Sequence, residues 1–158
     1  MAKLREPLWY FTDMWLSLVI AEALAQLISH VVPHFIIGMA LLAGLYGFFM
    51  LFMGFMLIPS NFPKGSRWLY DIAFHTYSFR TFMYTEFHGN QTYEGQFETG
   101  QDVLEFYEIG DVNRGEDMIV LFCYALIVHL MSVGVLWLRK KYFRGVVVSI
   151  EGSSSNDE

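Results

Sequence analysis

The stretch FIIGMALLAGLYGFFMLFMGFMLI, residues 35–58, contains no charged residue. At about 1.5 Å rise per residue, a helix of this length reaches about 36 Å, enough to cross a hydrocarbon core of about 30 Å. The stretch therefore predicts a membrane-spanning helix.

Two further apolar segments flank this stretch. The first, Leu8–Val32, contains Asp13 and Glu22, and the second, Met118–Leu138, has one ionisable group, His129. Pro33 disfavours helix at the residue before it, so the first two segments should form a tight hairpin. Charged residues make up 16% of the chain, against about 25% in soluble domains. These observations predict an all-α membrane protein with three transmembrane helices.

The segment 59–117 joins the last two spans and is too long for a simple linker. Within it, Trp68, Ile72, Phe79 and Met83 recur at helical spacing, with Asp71, His75 and Ser78 on the other side. We expect a re-entrant or interfacial helical segment at about 67–87, broken and bounded by Pro63 and Gly89, and a short helix at Gln101–Tyr107. The deeper, re-entrant placement should pack on Gly47 and Gly54. The predicted divisions are 1–33, 34–58, 59–117, 118–138 and 139–158, the last with a basic segment and a disordered tail at Glu151–Glu158.

Charge predicts the orientation of the spans. Arg139, Lys140, Lys141 and Arg144 follow the last apolar segment, which indicates a cytosolic side. Segment 59–117 should then be extracytoplasmic, and the glycosylation sequon at Asn90 agrees with that side. Nucleic-acid binding is not expected, because these four cations are better explained as a topology signal.

The stretch IPSNFPKGSRWLYDIAFHTYSFRTFMYTEFHG, residues 58–89, resembles the segment after the fifth membrane helix of ABCG half-transporters, closest to plant-type members linked with export of lipids and wax precursors. Residues 21–47 are similarly like the fourth and fifth membrane helices of that family. Thr85 departs from the family, since many members have Asn there. The resemblance implies a re-entrant element that caps the exit side of the substrate path, formed here by Trp68, His75, Tyr77, Phe79, Arg80, Glu86 and Phe87.

The same resemblance implies part of the transmembrane domain of an ATP-driven exporter of lipidic or other hydrophobic substrates. Such a protein works in the plasma membrane as a homo- or heterodimer of half-transporters, with ATP and Mg in the complete protein. In this element, Glu86 is expected to act as a structural cap.

The printed sequence contains no G-x-x-x-x-G-K-[ST] phosphate loop. We therefore expect no catalysis by the chain itself, and we interpret it as the C-terminal portion of a half-transporter: a fragment, a truncated gene model or a degenerate copy. The alternative functions are a small non-enzymatic membrane protein that binds or regulates a partner transporter, and a fragment without function.

Two groups of residues are candidates for a transport path or for helix packing. Glu22, Gln26 and Ser29 share one face of the first helix, where an intramembrane carboxylate suggests function or an interhelical hydrogen bond. Gly44, Gly47 and Gly54 belong to a stripe of small residues on the second helix that could face a similar stripe, Ser17–Ser29, on the first. Packing is the favoured interpretation of both groups.

The remaining polar residues suggest no catalytic, cofactor or metal site. His75, His88 and His129 lack the spacing of metal ligands on a shared helix face. The abundant Phe and Met of the second helix suit contact with membrane lipid.

Overall fold

The computed structural model describes residues 2–89, 92 and 97–154, with side chains described for 6–89, 92 and 97–142. Six α-helices follow one another with no strand in these ranges: α1 Ala2–Val31, α2 Phe35–Phe52, α3 Trp68–Ile72, α4 Phe74–Phe87, α5 Gly100–Phe106 and α6 Arg114–Ser154. A short 3-10 helix, Pro59–Asn61, lies between α2 and α3. The predicted all-α class is confirmed.

Three of these helices are long and apolar enough to cross a membrane, at Glu6–Val31, Phe35–Phe52 and Arg114–Tyr142. A tight connection through Pro33 joins α1 to α2, and the Val32 amide still donates to the Ile28 carbonyl at 2.9 Å. The predicted hairpin and the three spans are therefore present.

Two helix ends differ from the sequence prediction. The second span was predicted to reach Ile58, but α2 ends at Phe52, and Gly54 has a φ of +99°, a conformation that residues with a side chain rarely adopt. The third was predicted to cover 118–138, but α6 runs from Arg114 to Ser154. No proline follows Pro63, so no proline ends the helix after the apolar segment. The tail predicted to be disordered begins at Glu151; α6 as described includes 151–154, and 155–158 lie outside the described residues.

The core lies where α1, α6 and α4 meet. Leu16 and Ile20 of α1 face Leu121 and Ala125 of α6, and all four are buried. Spacings of four place each pair on one side of its helix. The outward faces are strongly apolar, with Phe35 of α2 79% exposed and Leu130 of α6 70% exposed. The three long helices thus present apolar surface for lipid or for further helices.

The segment between α2 and α6 folds back over one end of this bundle. α4 lies between α1 and α6, and α5 packs against the end of α4. An added Cβ at Gly100, the first residue of α5, would overlap the Phe87 carbonyl oxygen, so the junction requires glycine. The helix predicted at Gln101–Tyr107 is therefore present, one residue earlier.

Candidate functional site

The predicted re-entrant element consists of α3 and α4, which meet at a break at Ala73. The break has an extended residue, with φ −70° and ψ 111°. Across it, the Thr76 hydroxyl donates to the Tyr70 carbonyl at 2.7 Å and the Tyr77 hydroxyl donates to the Asp71 carbonyl at 2.9 Å. These two bonds fix the angle between the helices. The element is broken, as predicted.

A chain of hydrogen bonds connects α4 to the middle of α1. The Ser17 hydroxyl donates to the Ser78 hydroxyl at 2.9 Å, and the Ser78 hydroxyl donates to Asp13 Oδ2 at 2.7 Å. Asp13 has no exposed surface and Ser78 is 6% exposed. A buried carboxylate is costly in a membrane helix unless it finds a donor, and Ser78 supplies one.

An ion pair connects α4 to α6. The Arg80 guanidinium lies 3.2 Å from Asp117 Oδ1, and the Asp117 side chain is 4% exposed. The guanidinium also lies 5.9 Å from the centre of the Tyr77 ring. Arg80 follows Ser78 by two residues, about half a helical turn, so the two side chains reach different neighbouring helices. We name Asp13, Ser17, Ser78, Arg80 and Asp117 the polar junction.

The sequence-based assignment of faces on α3 and α4 was partly wrong. Ser78 was placed on a polar face opposite the apolar residues, but it is buried against α1, whereas Trp68 and Ile72 are exposed at 57% and 47%. Phe79 packs between Phe55 and Tyr107, with ring centroids 5.9 Å from each. Helical periodicity identified a two-sided element but not which side meets the bundle.

A second polar contact lies at the start of α6. Arg114 pairs with Glu6 of α1, and its guanidinium carbon lies 5.6 Å and 5.2 Å from the ring centres of Trp9 and Tyr84. A cavity of about 400 Å³ opens here, lined by Trp9, Tyr84 and residues 111–115. The contact brings α1, α4 and α6 together a second time, at the same end of the bundle.

The end of α2 is fitted to α3 through Gly54. An added Cβ at Gly54 would lie 2.9 Å from Tyr70 Cε2. Burial raises the pKa of the Tyr70 phenol, which the nearby Arg80 guanidinium partly opposes. The predicted packing of the re-entrant element on Gly54 is therefore present, and Tyr70 brings it next to the polar junction.

The other small residues of the predicted stripe do not pack in this way. Gly44 and Gly47 are exposed, and no heavy atom lies within 4 Å of a Cβ added at either. Ser17 of the opposing stripe contacts Ser78 rather than α2. The prediction that the two stripes face each other, and that Gly47 supports the re-entrant element, is wrong within the described chain.

The polar face of α1 lies on the outside of the bundle. Gln26 donates to Glu22 at 3.1 Å, and the Ser29 hydroxyl donates to the Gln26 carbonyl at 2.7 Å. All three residues are exposed. They share a face as predicted, and that face is open to a neighbour outside this chain.

The remaining predicted residues of the element have structural surroundings. His75 lies between Phe74 and Phe49, and burial lowers its pKa. Glu86 is exposed, and the end of α4 is closed by the His88 amide, which donates to the Tyr84 carbonyl at 2.9 Å. The capping role expected of Glu86 is therefore not observed. Asn90 lies outside the described residues.

Sequence reasoning did not identify the polar junction as a site. Asp13 stood out only as a charge that shortens an apolar segment, and its partner Ser78 is 65 residues away. An intramembrane carboxylate was the available signal, because such groups nearly always have a polar partner. Within the described residues, no group of three or more His, Cys, Asp or Glu side chains is arranged to hold a metal ion.

Comparison of the sequence with known proteins identifies the family of the chain. Residues 1–87, which include α1 to α4, match the model of the family described as ABC-2 type transporter. The chain is 24% identical over 145 residues to the ABC transporter G family member STR2 of Medicago truncatula, covering 88% of this chain and 20% of that protein.

Two Arabidopsis thaliana proteins are similar in the same way. ABC transporter G family member 5 is 28% identical over 131 residues, covering 80% of this chain and 20% of its own length. ABC transporter G family member 11 is 32% identical over 72 residues, covering 46% of this chain and 10% of that protein. The chain thus spans about a fifth of the length of the first relatives it matches. The resemblance predicted from residues 58–89 is confirmed.

Proposed function

This chain belongs to the ABC-2 type transporter family and is part of a transporter transmembrane domain, and from that premise we propose that it works in an ATP-driven ABCG exporter of lipidic or other hydrophobic substrates. In this proposal α1, α2 and α6 border the path, and α3 and α4 cap its exit side. The chain performs no chemistry itself. ATP and Mg bind to nucleotide-binding domains, which supply the energy.

The observation that carries the proposal is the polar junction. An element that lies over the exit must stay attached to the spanning helices while they move, and α4 is bonded to α1 through Ser78 and to α6 through Arg80. A relative movement of α1 and α6 would therefore reach the cap through two short polar contacts. Asp13 Oδ1, Arg80 Nε and Asp117 Oδ2 are buried without a hydrogen-bond partner among the described residues. These atoms leave the junction able to form an alternative set of bonds in a second state.

The exposed faces favour a dimeric transporter over an isolated bundle. Glu22 of α1 and Gly44 and Gly47 of α2 face away from the described chain. A carboxylate in this position needs a polar partner, and glycines permit close approach of another helix. We propose that further membrane helices, from the same or another ABCG half-transporter, cover these faces in the plasma membrane.

The test uses the protein expressed from its full gene with an affinity tag. After mild detergent extraction, the purified complex should contain an ATP-binding ABCG polypeptide. Inside-out vesicles from the same cells should accumulate a fluorescent lipid only with hydrolysable ATP, and the Arg80→Met variant should lose most of this uptake. Arg67→Met, which removes an exposed charge from the N-terminus of α3, is the matched control and should retain it.

Vesicles that accumulate the lipid no faster than vesicles without the protein would contradict the proposed export. Equal uptake by the Arg80→Met and Arg67→Met proteins would contradict the role given to the junction.

A further inference from the structure

The far end of α6 carries a basic face that the proposed transport function does not use. Trp137, Lys140 and Lys141 are spaced at i, i+3 and i+4, so they occupy one side of the helix. Lys141 Nζ lies 5.4 Å from the centre of the Trp137 ring, and Trp137 is 61% exposed. We name these three residues the basic stripe.

The basic stripe points away from the neighbouring helix. Ser132 and Arg139 lie on the side of α6 that meets α1. Ser132 Oγ is 3.0 Å from His30 Nδ1, and Arg139 donates to the His30 carbonyl at 3.3 Å. Successive residues turn by about 100°, so Trp137 and Lys141 lie more than a third of a turn from that side. Lys140 is exposed as well, so the stripe is directed away from α1.

No acidic side chain balances these cations within the described part of the chain. The two ion pairs there, Arg80–Asp117 and Arg114–Glu6, both lie at the opposite end of α6. The sequence has no Asp or Glu from 23 to 70 or from 118 to 150. The negative partner of the stripe must therefore come from outside these segments.

We propose that the basic stripe binds the headgroup of an anionic phospholipid in the cytoplasmic leaflet, an inference that also assumes the predicted orientation of α6. The ammonium groups of Lys140 and Lys141 contact the lipid phosphate or carboxylate, and the Trp137 ring lies at the depth of the glycerol backbone. Positively charged residues beside a span attract anionic lipid even without a defined site. A topology signal requires only the positive charges. Here the lysines also share a helix face with the exposed Trp137, which can act as an aromatic anchor at the membrane interface.

The experiment measures lipid binding to the full-length protein by native mass spectrometry in detergent. Phosphatidylserine and phosphatidylcholine of equal chain length are added separately over the same concentrations. We expect clearly tighter binding of phosphatidylserine, and a loss of about 25-fold in the Lys140→Gln/Lys141→Gln variant, about fivefold for each lysine. The matched control is Lys64→Gln/Arg67→Gln, which removes two exposed cations outside α6, and its binding should not change.

Circular dichroism provides the folding control, because exposed substitutions should leave the helical signal intact. Glycerophosphoserine, the soluble headgroup, should not displace the lipid at equal concentration, since it lacks the chains that the apolar face of α6 contacts. Equal binding of both lipids, equal losses in the two double variants, or displacement by the soluble headgroup would overturn the proposal.

Discussion

Arg80 is the only cation that touches Asp117 in the described chain, and the two side chains differ in exposure. The carboxylate is 4% exposed and the guanidinium 26%. Removing one member of a buried pair leaves the other charge without compensation, which costs about 3–5 kcal/mol, whereas replacing both with apolar residues is often neutral. The pair should therefore respond asymmetrically to single and double substitution.

We predict that Arg80→Met lowers the free energy of unfolding by about 3 kcal/mol, the lower end of the range because Arg80 is partly exposed. Arg80→Met/Asp117→Leu should recover most of the loss. Denaturant titration in detergent micelles measures both, with Arg67→Met as the exposed control. A double variant no more stable than Arg80→Met would show that the pair does not act as one unit.

Gly54 is constrained both in its backbone conformation and by a neighbouring side chain. Gly47 of α2 has neither constraint. Gly54 has a positive φ and lies against Tyr70, whereas a Cβ at Gly47 would meet open space. We predict that Gly54→Leu destabilises the protein by about 2 kcal/mol or more, since backbone strain and overlap with Tyr70 both contribute. Gly47→Leu should change the thermal unfolding midpoint little. Equal shifts of the two midpoints would be inconsistent with this packing.

At the scale of helices, α5 shows how local sequence can decide a short element. Its first turn has a capping box, in which the Thr99 amide donates to Asp102 Oδ2 at 2.8 Å and the Asp102 amide donates to Thr99 Oγ1 at 3.3 Å. Hydrogen bonds from the Thr99 side chain and backbone lower the pKa of Asp102. Its contribution is therefore present above the ordinary carboxyl pKa and is lost as the pH falls through the lowered value.

We predict that the Thr99 amide proton shift, followed by nuclear magnetic resonance during acid titration, moves with a midpoint below the ordinary Asp range. The Asp102→Asn protein should show no such titration, while Glu105→Gln, an exposed change one turn later, should retain it. A midpoint at or above the ordinary Asp pKa would count against the capping box.

The helices also show which features were accessible from sequence. Apolar length sufficed for the three spans, because crossing a membrane is a requirement on length and polarity. Helix ends were harder to predict from the sequence. α2 ends near Gly54, and the apolar residues around Gly54 do not distinguish it from Gly44 or Gly47. The Ser17–Ser78 contact joins residues 61 positions apart, and periodicity assigns a residue to a face without identifying the neighbour.

At the scale of the whole molecule, charge is divided between the two ends of the bundle. Ten of the 16 acidic residues lie between 60 and 117, and four of the ten Lys and Arg residues lie between 139 and 144. This distribution predicts that α5 is extracytoplasmic and that the inner end of α6 is cytosolic.

Cysteine labelling in intact cells measures the orientation. In a Cys123→Ala background, Gln101→Cys at the start of α5 should react with an impermeant maleimide before permeabilisation, and Lys140→Cys only afterwards. Both original residues are exposed, so their reactivities should be comparable in detergent. The reverse order of labelling would reject the predicted topology.

The central claim is that α4 lies against α1 within the bundle and caps it, and oxidative cross-linking of Ser17→Cys/Ser78→Cys tests it most directly. The two hydroxyl oxygens are 2.9 Å apart, close enough for cysteines at these positions to approach disulfide geometry. In native membranes and a Cys123→Ala background, the account predicts efficient cross-linking, comparable to His30→Cys/Ser132→Cys between α1 and α6. Cross-linking of the second pair without the first would show that α4 does not lie against α1, and would contradict the account.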